Sequence, residues 1–277
     1  MSDIASRPIN LLSSRAGSAW MDLIRVPSAW LLPWLIPFLL LALWELGSRL
    51  GFIRPEYLPP PSQVIAAGTT LTTSGELTDH LLISFRRAMT GFLVGGSLAF
   101  ALGIANGVSR LSERLTDTTF QMVRNIPSLA LIPLVILWFG IDEGAKLFLT
   151  AFGVFFPIYI NTLHGVKTVD IQLIEMAKSY GIGRWGLFRK VIFPGALPSI
   201  FIGIRYALGI MWLTLIVSET IAANSGIGYM AMQAREFMLV DVVIVAILLY
   251  ALLGKVADAT ARSLEKLALS WHPAYGR

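Results

Sequence analysis

The sequence predicts an all-α polytopic membrane protein of about six transmembrane helices, with both termini in the cytoplasm. Three observations carry that prediction. Of 277 residues, 55% are hydrophobic and only 14% charged, with a mean hydropathy of +0.69. An average soluble domain carries about 25% charged residues, so this chain has too few to cover a soluble surface. Six stretches approach the roughly 20 apolar residues that cross about 30 Å of hydrocarbon: 29–46, 88–105, 119–139, 147–163, 197–221 and 242–260. Finally, with the N-terminus inside, the 22 Lys and Arg divide 16 to 6 in favour of the cytoplasmic segments, as the positive-inside rule requires. That asymmetry accounts for the net charge of +5 as topology and leaves no need for a nucleic-acid partner.

Taken in order, residues 1–28 are polar and mixed. They are followed by a long apolar run with no small-residue cleavage site, so they read as a retained cytoplasmic tail. One membrane domain, 29–263, follows, and 264–277 form a cytoplasmic C-terminal tail. Trp30, Trp34 and Trp44 suit the membrane interface. The external stretch between the first two spans holds Leu58-Pro59-Pro60-Pro61-Ser62, where the prolines fix φ and Ser62 is expected to N-cap a short helix. The second span carries Gly91, Gly95, Ala99, Gly103 and Gly107 at every fourth position, a smooth stripe that lets another helix approach closely. Internal packing, a dimer contact and a moving interface all remain open for it. The third span is interrupted by Arg124, Pro127 and Pro133. Asn161, Thr162 and His164 close the fourth.

The 30-residue loop 167–198 is the most informative segment. Residues 171–180 read as a short helix, Gly181 and Gly183 as a break, 185–193 as a second short helix, and Pro194 and Pro198 as the start of the next span. A helix–glycine–helix elbow presents a stiff surface to another protein, whereas a plain connection could be far shorter; an interfacial helix lying on lipid headgroups is the alternative. Gly181-Ile182-Gly183-Arg184-Trp185-Gly186 matches a dinucleotide fingerprint, but that motif works only between a strand and a helix. There is no P-loop pattern, no cysteine, and only the scattered His80, His164 and His272. Nucleotide, zinc–thiolate, disulfide and intramembrane hydrolase chemistry therefore lack their residues.

Ionisable groups within spans are costly and hence functional candidates. Glu219 lies near the outer end of the fifth span, followed by Thr220, Asn224 and Ser225; a structural ion pair or gate is expected, with Arg86 or Arg87 as partner. Arg205, nearer the cytoplasmic end, is open between an anion path and a structural role. Thr214 lies between them. Lys255, Asp258, Arg262 and Glu265 have the spacing of local ion pairs on a solvated helix end.

Glu175-Met176-Ala177, three residues, Gly181, nine residues and Val191-Ile192-Phe193-Pro194 resemble the EAA loop of ABC importer permeases, Glu-Ala-Ala-x3-Gly-x9-Ile-x-Leu-Pro. Met176, Val191 and Phe193 depart from the pattern but stay apolar. The resemblance runs from about Leu58 to the C-terminus. It includes Asn125-Ile126-Pro127-Ser128, Leu137-Trp138-Phe139-Gly140, Glu219-Thr220-Ile221 and Ala223-Asn224-Ser225-Gly226-Ile227-Gly228-Tyr229. It is similar to the nitrate/sulfonate/taurine group, nearest its aliphatic-sulfonate branch.

What the resemblance implies is a type I importer permease fold in a bacterial inner membrane. Glu175, Met176, Ala177, Gly181, Gly183 and Pro194 would couple it to ATPases. Its partners would be a second copy of the chain, two cytoplasmic ATP-binding subunits, a periplasmic or extracellular sulfonate-binding protein and membrane lipid. It implies no catalytic residue, metal or cofactor in this chain, ATP and Mg belonging to the ATPase. Taurine, nitrate or another small anion is the alternative cargo. An ATP-independent secondary transporter is the alternative class, against which the elbow argues.

Overall fold

The computed structural model describes residues 32–271; the predicted N-terminal tail, the start of the first span and the last six residues lie outside that range. The described residues form helices and turns, with no strand among them. They divide into two units, one ending at Ile53 and one beginning at Arg54. In the first, α1 (Leu32–Arg49) is apolar on nearly every face down to an i,i+4 ion pair between Arg49 and Glu45 (2.5 Å). That pattern suits a lipid-facing helix. Beyond it the chain folds back, Ile53 N–H reaching Gly47 C=O at 3.1 Å.

The second unit begins with α2 (Pro61–Thr73). It starts one residue before the expected cap: Pro60 holds the N-cap position, and Ser62 lies inside the first turn. Proline at the first helical position is the cause, since its φ is already helical and its missing N–H would have found no partner there. The next helix, α3 (Glu76–Val108), is 33 residues long and starts twelve residues before the predicted span. Gly75, at φ +83°, sets its entry, and Glu76 and Asp79 in the first turn favour the N-terminal dipole. Arg86 and Arg87 are thereby helical.

The third predicted span is corrected. Instead of one helix over 119–139, α4 (Arg110–Val123) and α5 (Ile132–Phe139, entered through a 3-10 turn, Ser128–Leu131) meet at an 83° bend. Pro127 supplies no N–H and forces Ile126 out of helical backbone, while Pro133 fits the first turn of α5. Next come α6 (Glu143–Lys167), α7 (Ile171–Ser179) and α8 (Arg184–Ala222). They are followed by α9 (Ile227–Glu236) and α10 (Val240–Ala268). Among the described residues four helices, α3, α6, α8 and α10, are long and apolar enough to cross a membrane; α4 with α5 makes a fifth if the bent pair counts as one.

The core is α6 held between α3 and α8, and small residues make that possible on both sides. A Cβ on Gly95 would sit 2.2 Å from the Ala151 carbonyl oxygen, one on Gly91 2.7 Å from Thr150, one on Gly103 2.8 Å from Thr162 and one on Gly107 2.5 Å from Val166. Ala99 is fully buried. The stripe is therefore filled within the chain by α6. On the opposite side Gly153, Gly165 and Gly203 let α6 meet α8 equally closely. Around this contact Val154, Ile158, Met211, Trp212 and Leu215 are buried with Ile227, Ala246 and Tyr250 of α9 and α10.

Gly95→Ala is expected to destabilise by about 1–3 kcal/mol through overpacking against backbone. Gly254→Ala, where no atom lies within 4 Å, should be neutral or stabilise by up to about 1 kcal/mol. Thermal unfolding of the two variants in detergent checks the contrast; equal midpoints would refute it.

Candidate functional site

Two features stand at opposite ends of α8. At the end that the charge count assigns to the cytoplasm, Asp170 caps α7 by accepting from Gln172 N–H (2.8 Å). The helix ends in a Schellman motif: Gly181 N–H donates to Lys178 C=O (2.9 Å) and Ile182 N–H to Ala177 C=O (3.1 Å), with Gly181 left-handed at φ +75°. Ala177 is buried beneath the bend, whereas Glu175 is exposed and is flanked by exposed Ile171, Leu173, Met176, Tyr180 and Trp185. This elbow packs on the start of α8 and presents an apolar rim around a carboxylate.

The second half of the elbow differs from expectation. No separate helix precedes Pro194. Arg184–Leu187 runs through a π-turn, Phe188–Ile192, directly into the span. Pro194 cannot donate to an i−4 carbonyl, and the wider turn re-pairs the backbone instead, Phe193 N–H reaching Phe188 C=O. Gly183 is at φ −68° with open space around its Cβ position, so no conformational demand explains it.

At the other end lies a buried ionic cluster. Arg87, 5% exposed, spends all five guanidinium donors. Nε and Nη2 grip Glu143 (2.7 and 2.5 Å), and Nη1 donates to Glu219 (2.8 Å). Nη1 and Nη2 also reach the Ser225 carbonyl (2.6 Å) and hydroxyl (2.9 Å). Lys146 donates to Glu143 at 3.0 Å. Glu219, 1% exposed, also accepts from Gly228 N–H (3.0 Å) and Tyr250 O–H (3.3 Å), with the Ser84 hydroxyl 2.8 Å from both its oxygens. Gly226, at φ +106°, can only be glycine, because a Cβ would lie 2.3 Å from Glu219 and 2.7 Å from Arg87. Its N–H donates to His80 Nδ1 (3.0 Å), which fixes the tautomer with the proton on Nε2. The cluster thus ties α3, α6, α8, α9 and α10 together at one level. Its polar groups are hydrogen-bonded to one another, which makes it a rigid cross-link among those five helices.

The other expected pathway residues do not converge. Arg86 is exposed, and Arg87 alone of the pair reaches Glu219. Thr214 is buried against Gly153, its hydroxyl donating to Ile210 and Met211 carbonyls. Thr220 donates to Val217 C=O and lines a separate 340 Å³ recess with Arg235. Asn224 is exposed. Arg205 bridges α8 to α10 through Asp258 (3.3 Å) and Glu265 (3.6 Å), so the charges of α10 serve more than the local pair Arg262–Asp258 (2.7 Å). Sequence reasoning missed Ser84, Glu143, Lys146, Tyr250, Gly226 and Gly228 as parts of the cluster. The signal available was charge beside an apolar span, at Glu143 and Lys146.

A family model described as "Binding-protein-dependent transport system inner membrane component" matches residues 91–268. Among curated relatives, the aliphatic sulfonates transport permease protein SsuC of Escherichia coli (strain K12) is 60% identical, covering 89% of this chain and 95% of its own. The protein of the same name from Bacillus subtilis (strain 168) is 42% identical over 89% of each chain. The taurine transport system permease protein TauC of E. coli is 36% identical over 84% of this chain and 86% of its own. Among solved structures, a chain of the MetNI methionine ABC transporter in an inward-facing conformation matches with a TM-score of 0.50 at 18% identity. It covers 68% of this chain and 94% of that one.

Proposed function

The chain belongs to the family of binding-protein-dependent transport system inner membrane components and is the membrane-spanning subunit of an ABC importer; from that premise we propose that its cargo is an aliphatic sulfonate. The fold is that of type I importer permeases. The observation that carries the cargo is the 60% identity with the SsuC permease, extending over nearly the whole of both chains.

Two copies of this chain form the conduit in a bacterial inner membrane, with an ATP-binding subunit seated on each elbow. A sulfonate-binding protein delivers cargo at the outer face. ATP and Mg are held by the ATPases. The elbow supports this arrangement because its apolar rim is exposed among the described residues and Glu175 gives it a charge to match. When the ATPases close, they displace α7, and α8 carries the displacement into the bundle because the two are packed directly. The Arg87–Glu219 cluster keeps the outer end shut until that displacement strains it.

The cargo is tested by deleting this chain in its own organism and growing cells on an alkanesulfonate as sole sulfur source. Growth should fail on the alkanesulfonate and persist on sulfate. Unimpaired growth on alkanesulfonates overturns the cargo, and uptake that persists without ATP hydrolysis would make it a secondary transporter.

A further inference from the structure

We propose that the groove at the α4–α5 break is the station in the membrane where the passing sulfonate is held, with Arg124 as the cation that meets its anionic head. The inference rests on the sulfonate reading above. It starts from depth. Phe120, one turn before the break, packs on Phe155 and Tyr159 at ring distances of 5.7 and 4.8 Å, near the middle of the 25-residue α6. With α6 as a membrane span, the break lies level with the middle of the hydrocarbon layer. Non-helical backbone at that depth is tolerated only where protein buries it or where it lines a water-filled cavity.

Residues 124–127 are exposed in this chain, and beside them opens a groove of about 600 Å³. That volume lies in the range of small-molecule sites. Its wall has two characters. Arg124, Asn125 and Ser128 from the break offer donors, while Phe152, Phe156 and Ile210 from α6 and α8 offer apolar surface. An alkanesulfonate has the same two parts.

Arg124 differs from the cations that are paired within the bundle. Arg87, Lys146 and Arg205 each face a carboxylate, whereas no ion pair among the described residues includes Arg124. An intramembrane cation is expensive and is kept where it has an ionic task. A guanidinium offers two parallel donors to a tetrahedral oxyanion. Glu219, a buried carboxylate, would repel the anionic head and is already paired with Arg87.

The test uses the complete complex of permease, ATPase and binding protein in liposomes, with hexanesulfonate as the probe. Arg124→Gln should lower ATP-driven uptake by about tenfold or more, the scale of one lost charge-assisted hydrogen bond. Binding-protein-stimulated ATP hydrolysis should stay within about twofold, because elbow and outer cluster are untouched. Arg124→Lys should retain most uptake. Ile210→Trp, which fills the groove without altering charge, should block uptake with hydrolysis preserved, and it decides the matter should Arg124→Gln fail to assemble. Wild-type uptake by Arg124→Gln, or by Ile210→Trp, overturns the station alone. A wild-type complex that carries no sulfonate overturns both this inference and the cargo.

Discussion

Arg87→Ala should destabilise the folded chain by about 3–5 kcal/mol, the cost of stranding a buried charge whose partner has been removed. Glu219 would keep its hydrogen bonds from Gly228 and Tyr250 but lose its only ion-pair partner among the described residues, in a site 1% exposed to solvent. Glu143 would be left with Lys146 alone. Arg86→Ala, one residue away and exposed, should change stability by no more than about 0.5 kcal/mol. The double variant Arg87→Met/Glu219→Gln should recover much of the loss, since an apolar or neutral replacement of both partners avoids the unpaired charge. Unfolding by SDS in mixed micelles measures all three. If Arg87→Ala is as mild as Arg86→Ala, the cluster is not a closed ionic lock.

The second large effect belongs to the elbow. Gly181→Pro should abolish ATP-driven uptake while leaving membrane insertion and the thermal midpoint of the bundle near wild type. Proline cannot adopt φ +75°, and it removes the N–H that closes the Schellman turn on Lys178. The local cost of about 3 kcal/mol or more falls on α7, which packs on the start of α8 at the edge of the bundle, so the elbow should distort without unfolding the rest. Glu175→Lys should act similarly by reversing the charge offered to the ATPase, and co-purification of the ATPase should fall with it. Gly183→Ala, in ordinary backbone with open space at Cβ, should transport normally. Normal uptake by Gly181→Pro and Glu175→Lys together would remove the coupling role from this segment.

How much of this was legible depended on the range of the interaction. The elbow could be read because a Schellman glycine is a local event, visible as Gly181 at the end of a short amphipathic run. The five-residue stripe from Gly91 to Gly107 announced a close helix contact, although only the fold identifies α6 as the neighbour. Pro127 announced trouble in the third span, but not that the chain would turn by 83° there. Pro194 was read as a start signal and does stand in the first turn of the regular α-helix from Phe193; the π-turn that joins that helix to Arg184–Leu187 is what spacing alone does not reveal.

The ionic cluster was half legible. Glu219 and Arg87 were suspected as a pair from their shared side, but Ser84, Glu143 and Tyr250 join them across 135, 56 and 31 residues respectively. No periodicity encodes such contacts. Arg124 was counted as a topology marker at the edge of a span, and its place in a groove emerged only once α4 and α5 were separated.

The unbroken course of α8 has a further consequence. From Arg184 to Glu219 it is one shaft, about 50 Å long at 1.5 Å per residue. On the proposed coupling, a twist applied at its lower end would move the Glu219 carboxylate against a guanidinium anchored on α3 and α6. The π-turn at Phe188–Ile192 and Pro198, inside the helix, are compliant joints along that shaft, and in the proposed coupling stiffening or softening them would set how much of the elbow's movement reaches the Glu219 cluster.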